Sequence, residues 1–278
     1  MTVPAPSARS QLASLLAGDD ETLDLARAAL LVAAEEYPQI APETYLRRLD
    51  LLAERVKDRL SDESAPPVVL QEVSRVLFEE EGFRGNAEAY YDPRNSFLND
   101  VLDRRVGVPI SLSIVYLEVG WRLGLPLAGI GFPGHFLVRY EGEVIRVLLD
   151  PFDAGRLRFE DQAQELLDRV YGGLVRLQPE FLEPSGRKDM LVRLLKNLKA
   201  IHLNARDDAK ALAAIERILL IRPGAPAELR DRGMLLARSG RAAEAVADLE
   251  RYLASSPEAP DARRVRRMIE ELGRRASE

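Results

Sequence analysis

A chain of 278 residues, 46% hydrophobic and 30% charged, has the make-up of an ordinary globular protein with one large domain or two modest ones. Its formal net charge of −6 argues against a nucleic-acid-binding protein, which usually carries a basic excess. Because it has no cysteine and two histidines, disulfides, a thiol nucleophile and thiolate metal sites are excluded, and neither a metal nor a cofactor is expected.

The first half of the chain shows helical periodicity. Apolar residues from Leu23 to Ala34 recur at helical spacing, and Pro42 suits the start of a second helix. Further helices are predicted at about 68–80, 97–104 and 109–123, and residues 85–96 are predicted to be a loop. The helix at 109–123 is apolar on all sides, which predicts that it is buried, and Gly124 would cap it.

Between residues 136 and 150 the helical pattern gives way to alternation. Phe136, Val138 and Tyr140 alternate with other residues, the segment 141–143 is a turn, and 144–149 is a second apolar run. This pattern predicts a β-hairpin, with His135 on its first strand and Asp150 at the end of its second.

From Met190 onward the chain is predicted to be helical, and it repeats itself. Five residues recur at an offset of 34, the tetratricopeptide period: Ala211, Glu216, Arg217, Pro223 and Pro226 return as Ala245, Glu250, Arg251, Pro257 and Pro260. The stretch "RRVRRMIEEL" that follows is interpreted as a solvated capping helix. Its alternative is a contact with an acidic peptide or with nucleic acid, and the lack of interleaved aromatic residues disfavours nucleic acid.

Along the chain, an interruption between two helices is followed by a buried helix, then by His135 and then by Asp150. A Cys-His-Asp hydrolase needs its elements in this order. In such enzymes the nucleophile lies at a helix N-terminus, where the dipole and free N–H groups stabilise negative charge. The base and its orienting carboxylate come from neighbouring strands. Here the nearest hydroxyls to the start of the helix are those of Ser111 and Ser113.

The stretch "GVPISLSIVYLEVGWRLGLPLAGIGFPGHFLVRY", followed by "LLDPF", resembles the transglutaminase-like core of a bacterial family described as regulators of sirC expression. Members of that family pair this core with C-terminal tetratricopeptide repeats. The resemblance extends to "YYDPRNSFLNDVLDRR" upstream and "RDRGMLLARSGRAAEAVADLERYL" downstream, and so covers about residues 23–272. It implies a papain-like α+β fold, with His135 and Asp150 at the positions of the enzymes' histidine and aspartate.

The sequence departs from the active members of that family at the nucleophile. They open the buried helix with Gly-x-Cys, whereas Gly107-Val108-Pro109 places Pro109 at the cysteine position. His135 and Asp150 are therefore predicted to be vestigial. A Ser111-His135-Asp150 triad requires a shift of two residues, and the simpler interpretation of Ser111 is a first-turn serine that satisfies a backbone N–H.

These observations predict two domains. Residues 1–185 form a degenerate transglutaminase-like α+β domain with a helical N-terminal part and a small antiparallel sheet, and residues 186–278 form an all-α repeat domain.

The favoured function is a non-catalytic regulator or scaffold that binds a protein or peptide partner through repeats at 190–260 and through the cleft. The alternatives are a serine-dependent hydrolase or acyl transferase and, as the family's description hints, a regulator associated with nucleic acid. Without a signal-peptide pattern or an apolar run that could span a bilayer, a cytoplasmic location and no membrane association are expected.

Overall fold

The structure, a computed structural model, describes residues 6–61, 63–143, 145–159 and 162–275. The chain divides into two compact units, Met1–Leu194 and Leu195–Glu278. This division falls inside the helix Arg187–Asn204. Within the described residues, no helix combines the length and the apolar character that crossing a membrane requires.

Four helices make up the N-terminal part of the first unit: α1 (Ala8–Leu16), α2 (Leu25–Glu36), α3 (Pro42–Lys57) and α4 (Pro66–Ser74), which continues as a π-helix over Arg75–Glu80. The side chains of Ser7 and Asp24 cap α1 and α2 by accepting backbone hydrogen bonds, and Pro42 opens α3. The helical spacing predicts α2, α3 and α4, whereas it predicts no helix in the segment of α1.

A central helix follows two short strands and the short helix that connects them. Strand β1 (Arg84–Gly85) pairs in parallel with β2 (Val106–Gly107), and α5 (Leu98–Arg104) lies between them in sequence. Helix α6 (Pro109–Arg122) begins at the predicted proline, and every residue from Pro109 to Gly120 is buried. It ends before Gly124, which has a positive φ of 75°. The prediction of a helix buried on all sides is confirmed.

The larger sheet of the first unit has, within the described residues, five antiparallel strands in the order β6-β5-β4-β3-β7. They are β3 (Leu127–Ile130), β4 (Leu137–Glu141), β5 (Arg146–Asp150), β6 (Arg156–Arg158) and β7 (Pro184–Ser185). Strands β4 and β5 are the predicted hairpin, with Val138 opposite Leu149. Helix α6 packs on this sheet, and α7 (Ala163–Tyr171) packs on Leu137 and Leu148 in a second apolar cluster. The predicted α+β class is confirmed.

The second unit continues from α8 (Arg187–Asn204) through four more helices: α9 (Asp208–Ile221), α10 (Pro226–Arg238), α11 (Ala242–Ser255) and α12 (Ala262–Arg275). Ala211 and Ala245, the repeat's alanines, are both fully buried. Gly233 lets α10 and α11 approach closely, because a Cβ there would lie 2.7 Å from Leu249 Cγ. The helical pairs at the predicted spacing, and the helix predicted after Pro260, are both present.

Candidate functional site

The histidine of the candidate site lies in a tight turn next to the sheet. Gly134, with a φ of 70°, allows the chain to turn, and the backbone N–H of His135 donates to the carbonyl of Phe132. His135 was expected on the first strand of the hairpin. This expectation is wrong by two residues, because β4 begins at Leu137 and the turn belongs to the preceding loop.

Asp150 ends β5, and its carboxylate meets the histidine. His135 Nε2 lies 2.8 Å from Asp150 Oδ1, so the two residues are within hydrogen-bonding distance, as the resemblance implies. The same oxygen accepts the backbone N–H groups of Phe152 at 3.2 Å and Asp153 at 3.3 Å. Asp150 therefore caps the short turn 151–153 and holds the imidazole at the same time.

A buried arginine stands behind the carboxylate. Arg158, on β6, lies with Nε 4.0 Å from Asp150 Oδ2, and its Nη2 donates to Asp153 at 3.0 Å. The side chains of Arg158 and Asp150 are 5% and 4% exposed. This cation opposes the cost of burying the carboxylate, and its hydrogen bond to Asp153 holds it beside the site.

The bond to Asp150 sets what the imidazole offers to a ligand. Because a carboxylate accepts, Nε2 carries the hydrogen, and Nδ1 of the neutral ring is then an acceptor. Among the residues that the structure describes, Nδ1 has no hydrogen-bond partner. The side chain is 13% exposed, so the ring is partly open to solvent.

Apolar side chains flank the turn of His135. The ring of Phe152 meets the imidazole edge-on at 5.9 Å between centroids, and it packs so tightly on Gly85 that a Cβ there would lie 2.6 Å away. On the Gly134 side lie Val170 and Tyr171 of α7, 50% and 37% exposed. No sequence pattern pointed to Val170 or Tyr171 as neighbours of the site, and only the motif "DPF" gave a signal for Phe152.

At the start of α6, the first helical position is Pro109, and Ser111 follows in the first turn. The Ser111 hydroxyl donates to the carbonyl of Asn95 at 2.6 Å and accepts the backbone N–H of Val108 at 3.0 Å. The residue is 1% exposed. None of the hydrogen bonds of this hydroxyl within the described residues reaches His135, so the structure joins only two members of the hypothetical triad.

Asn95 explains why Ser111 is held where it is. Its side chain is fully buried, donates to the carbonyl of Ala89 at 2.8 Å and accepts from Asn86 Nδ2 at 3.2 Å. These bonds order the loop before α5, and its carbonyl oxygen then receives the Ser111 hydroxyl. This part of the motif "NSFLNDVLDRR" therefore ties the loop to the first turn of the central helix.

In the described part of the chain, no three His, Cys, Asp or Glu side chains are arranged to hold a metal ion. The only imidazole of the site is already bound to Asp150. The expectation of a chain without metal or cofactor stays a prediction.

Comparison with known proteins gives two family matches that together span most of the chain. The model described as the transglutaminase-like superfamily matches residues 43–196, and the tetratricopeptide repeat model matches residues 198–270. A UPF0162 protein of Xylella fastidiosa (strain 9a5c) is 39% identical over 230 residues, which is 82% of each chain. A UPF0162 protein of Pseudomonas aeruginosa is 35% identical over 199 residues, 72% of each chain. F-box only protein 21 of Homo sapiens is 41% identical over 85 residues, which is 31% of this chain and 14% of that protein.

Proposed function

The chain belongs to the transglutaminase-like superfamily and to the family of UPF0162 proteins, and we propose that it is a non-catalytic regulatory or scaffold protein of the cytoplasm. It binds a peptide segment of a protein partner through two surfaces. One is the repeat region at 190–260, and the other is the degenerate cleft beside His135.

The observation that carries this proposal is the state of the helix start, where a nucleophile would have to lie. Pro109 has no nucleophilic atom, and the Ser111 hydroxyl donates its hydrogen to a backbone carbonyl. A serine nucleophile must instead give that hydrogen to its general base. Together with the absence of cysteine, this arrangement supports a cleft that retains the base and its carboxylate without a group to activate.

The cleft can still bind a ligand. Nδ1 of His135 can accept a hydrogen bond from a backbone or side-chain N–H of a peptide. Phe152 and Val170 offer apolar surface on either side of the turn. One oriented acceptor between apolar side chains is the composition of a typical binding pocket.

The repeat region supports the same kind of partner. Stacked helical pairs of this type present a groove that binds extended peptides or helices. The regulatory part of the proposal comes from the resemblance to regulators of sirC expression.

The alternative is a serine-dependent hydrolase or acyl transferase that uses Ser111, His135 and Asp150. The 2.8 Å contact between His135 and Asp150 favours it, because this is the base–orienter half of a triad. It requires the Ser111 hydroxyl to leave Asn95 and Val108, which strands a buried carbonyl and a buried N–H at about 1–3 kcal/mol each.

A peptide-display selection tests the proposal. The full chain is immobilised and presented with a library of random 12-residue peptides, and enriched peptides are synthesised with a fluorescent label. We expect them to bind saturably in fluorescence anisotropy and to return with unchanged mass after overnight incubation with the protein. A library from which nothing is enriched over an empty surface, or peptides that are cleaved or become attached to the chain, would overturn it.

A further inference from the structure

Helices α10 and α12 enclose a groove in the second unit with a volume of about 500 Å³. Its apolar lining comes from Met234 and Ala237 of α10 and from Met268 and Leu272 of α12. Within each helix these residues lie three or four positions apart, so each helix turns one apolar face toward the groove. The volume falls in the range of sites that take a side chain or a small ligand.

The lining is adaptable. The whole chain has four methionines, and two of them line this groove. Both are only partly buried, although they pack against the apolar core of the unit. Methionine is flexible and polarisable, and it is common where a surface accepts varied apolar side chains.

A guanidinium without an internal partner stands next to this apolar lining. Arg264 lines the groove and is exposed, and no acid of the described residues pairs with it. Across the groove, by contrast, Arg238 is paired with Asp208. Arg263, Arg267 and Arg274 on α12 are likewise exposed and unpaired within the described residues. Since no acid of the described residues pairs with these arginines, they can pair with the carboxylates of a ligand.

The spacing of these groups defines the ligand. Arg264 and Met268 are four residues apart on one helix face, which is about 6 Å along the axis. An extended peptide rises about 3.3 Å per residue and turns every second side chain to the same side. We propose that the groove between α10 and α12 binds an extended acidic peptide in which a carboxylate side chain lies two positions from an apolar anchor. The carboxylate pairs with Arg264, and the anchor enters between Met234 and Met268.

Charge favours a peptide over nucleic acid. Glu271 lines the groove one turn beyond Met268 and would face a continuous phosphate backbone with like charge. Among the described residues that line the groove, none is aromatic and could stack on a base. A peptide with one carboxylate at the Arg264 end avoids Glu271, because its backbone N–H groups can face that side chain.

This inference rests on the proposed function, and its test uses the same enriched peptides. We expect them to share an Asp or Glu two positions from a Leu, Met or Phe. Arg264→Ala should raise their dissociation constant about tenfold, since it removes a charge-assisted hydrogen bond. Arg263→Ala is the matched control, because it deletes the same charge one residue away, outside the groove lining. It should change the constant less than twofold.

The outcomes separate the two proposals. The groove assignment is overturned if the enriched peptides lack the acidic–apolar spacing, or if Arg264→Ala and Arg263→Ala weaken their binding equally. Either result leaves the proposed function standing. A library that yields no peptide removes the proposed function and the groove with it. Arg264-dependent binding of a labelled 20-base-pair DNA duplex, in place of peptide binding, overturns the acidic-peptide assignment. Unchanged circular dichroism of both variants shows that the fold is intact.

Discussion

The hydroxyl of Ser111 is expected to act in folding, so that Ser111→Ala lowers stability. The change leaves the carbonyl of Asn95 and the N–H of Val108 without their partner in a site that is 1% exposed. One net hydrogen bond contributes about 1 kcal/mol, and each stranded buried group costs about 1–3 kcal/mol. We therefore expect Ser111→Ala to lower the free energy of unfolding by about 2–4 kcal/mol.

Urea unfolding followed by tryptophan fluorescence measures this change. Trp121 is the only tryptophan of the chain and lies near the end of α6, so its emission reports on the unit that contains Ser111. Ser113→Ala is the matched control on the same helix. Its hydroxyl is equally buried, but it lies 3.5 Å from the carbonyl of Phe136, at the limit of a hydrogen bond. It should lose less than about 1 kcal/mol.

Equal stability losses for Ser111→Ala and Ser113→Ala would refute this reasoning. So would a Ser111→Ala protein as stable as the wild type, because the hydroxyl would then not be bonded as described. For a unit of this size, the expected loss corresponds to a fall in Tm of about 2–4 °C per kcal/mol.

Three further predictions concern other parts of the chain. Asp150→Ala should lower the free energy of unfolding by about 3–4 kcal/mol, and Asp150→Asn should lower it by less. Only alanine leaves His135 Nε2 and two backbone N–H groups without an acceptor. Equal losses of the two variants in thermal melts would contradict this. Burial raises the pKa of Glu118 above its ordinary value of 4.5, although Arg122 opposes the shift. Protonation therefore favours the native state, and wild type should gain stability relative to Glu118→Gln as the pH falls from neutral toward 4.5; urea titrations that show no such trend would contradict the burial. In the repeats, Gly233→Ala should lower the free energy of unfolding by about 1–3 kcal/mol, because the new methyl group clashes with Leu249. Gly273→Ala, also within a helix but with open space at its Cβ, should leave stability unchanged or raise it. Similar melting temperatures for the two variants would contradict the close approach of α10 and α11.

The elements that could be predicted from the sequence are those with a long, consistent period. Helix α6 carries apolar residues through four turns, and the alanines and prolines of the repeats recur at one constant spacing in the sequence. The β4–β5 hairpin follows from alternation around a glycine turn. In each case the signal is local, so no knowledge of distant contacts was needed.

Other elements depend on contacts that local patterns do not show. Strands β6 and β7 have three and two residues and exist because a neighbouring strand pairs with them. Helix α7 was not predicted, although its apolar residues pack on the sheet. The first strand of the hairpin was predicted to begin at His135, two residues too early, because the alternating pattern extends back into the turn before Leu137.

The candidate site could be predicted in part. The resemblance placed His135 and Asp150 together, and the hydrogen bond between them is present. The partner of the Ser111 hydroxyl could not be predicted, since the carbonyl of Asn95 lies 16 residues away in sequence and carries no side-chain signal. Arg158 comes from an edge strand that has no clear pattern of its own.

Intact-mass analysis after exposure to a fluorophosphonate tests most directly whether the protein is non-catalytic. Wild type, Ser111→Ala and His135→Ala are treated side by side, with an active serine hydrolase as the control for the probe. We expect the control to be labelled and the wild type to keep its mass. A single adduct on the wild type that is lost in both variants would mean that a serine nucleophile works with His135, and it would contradict the proposed function.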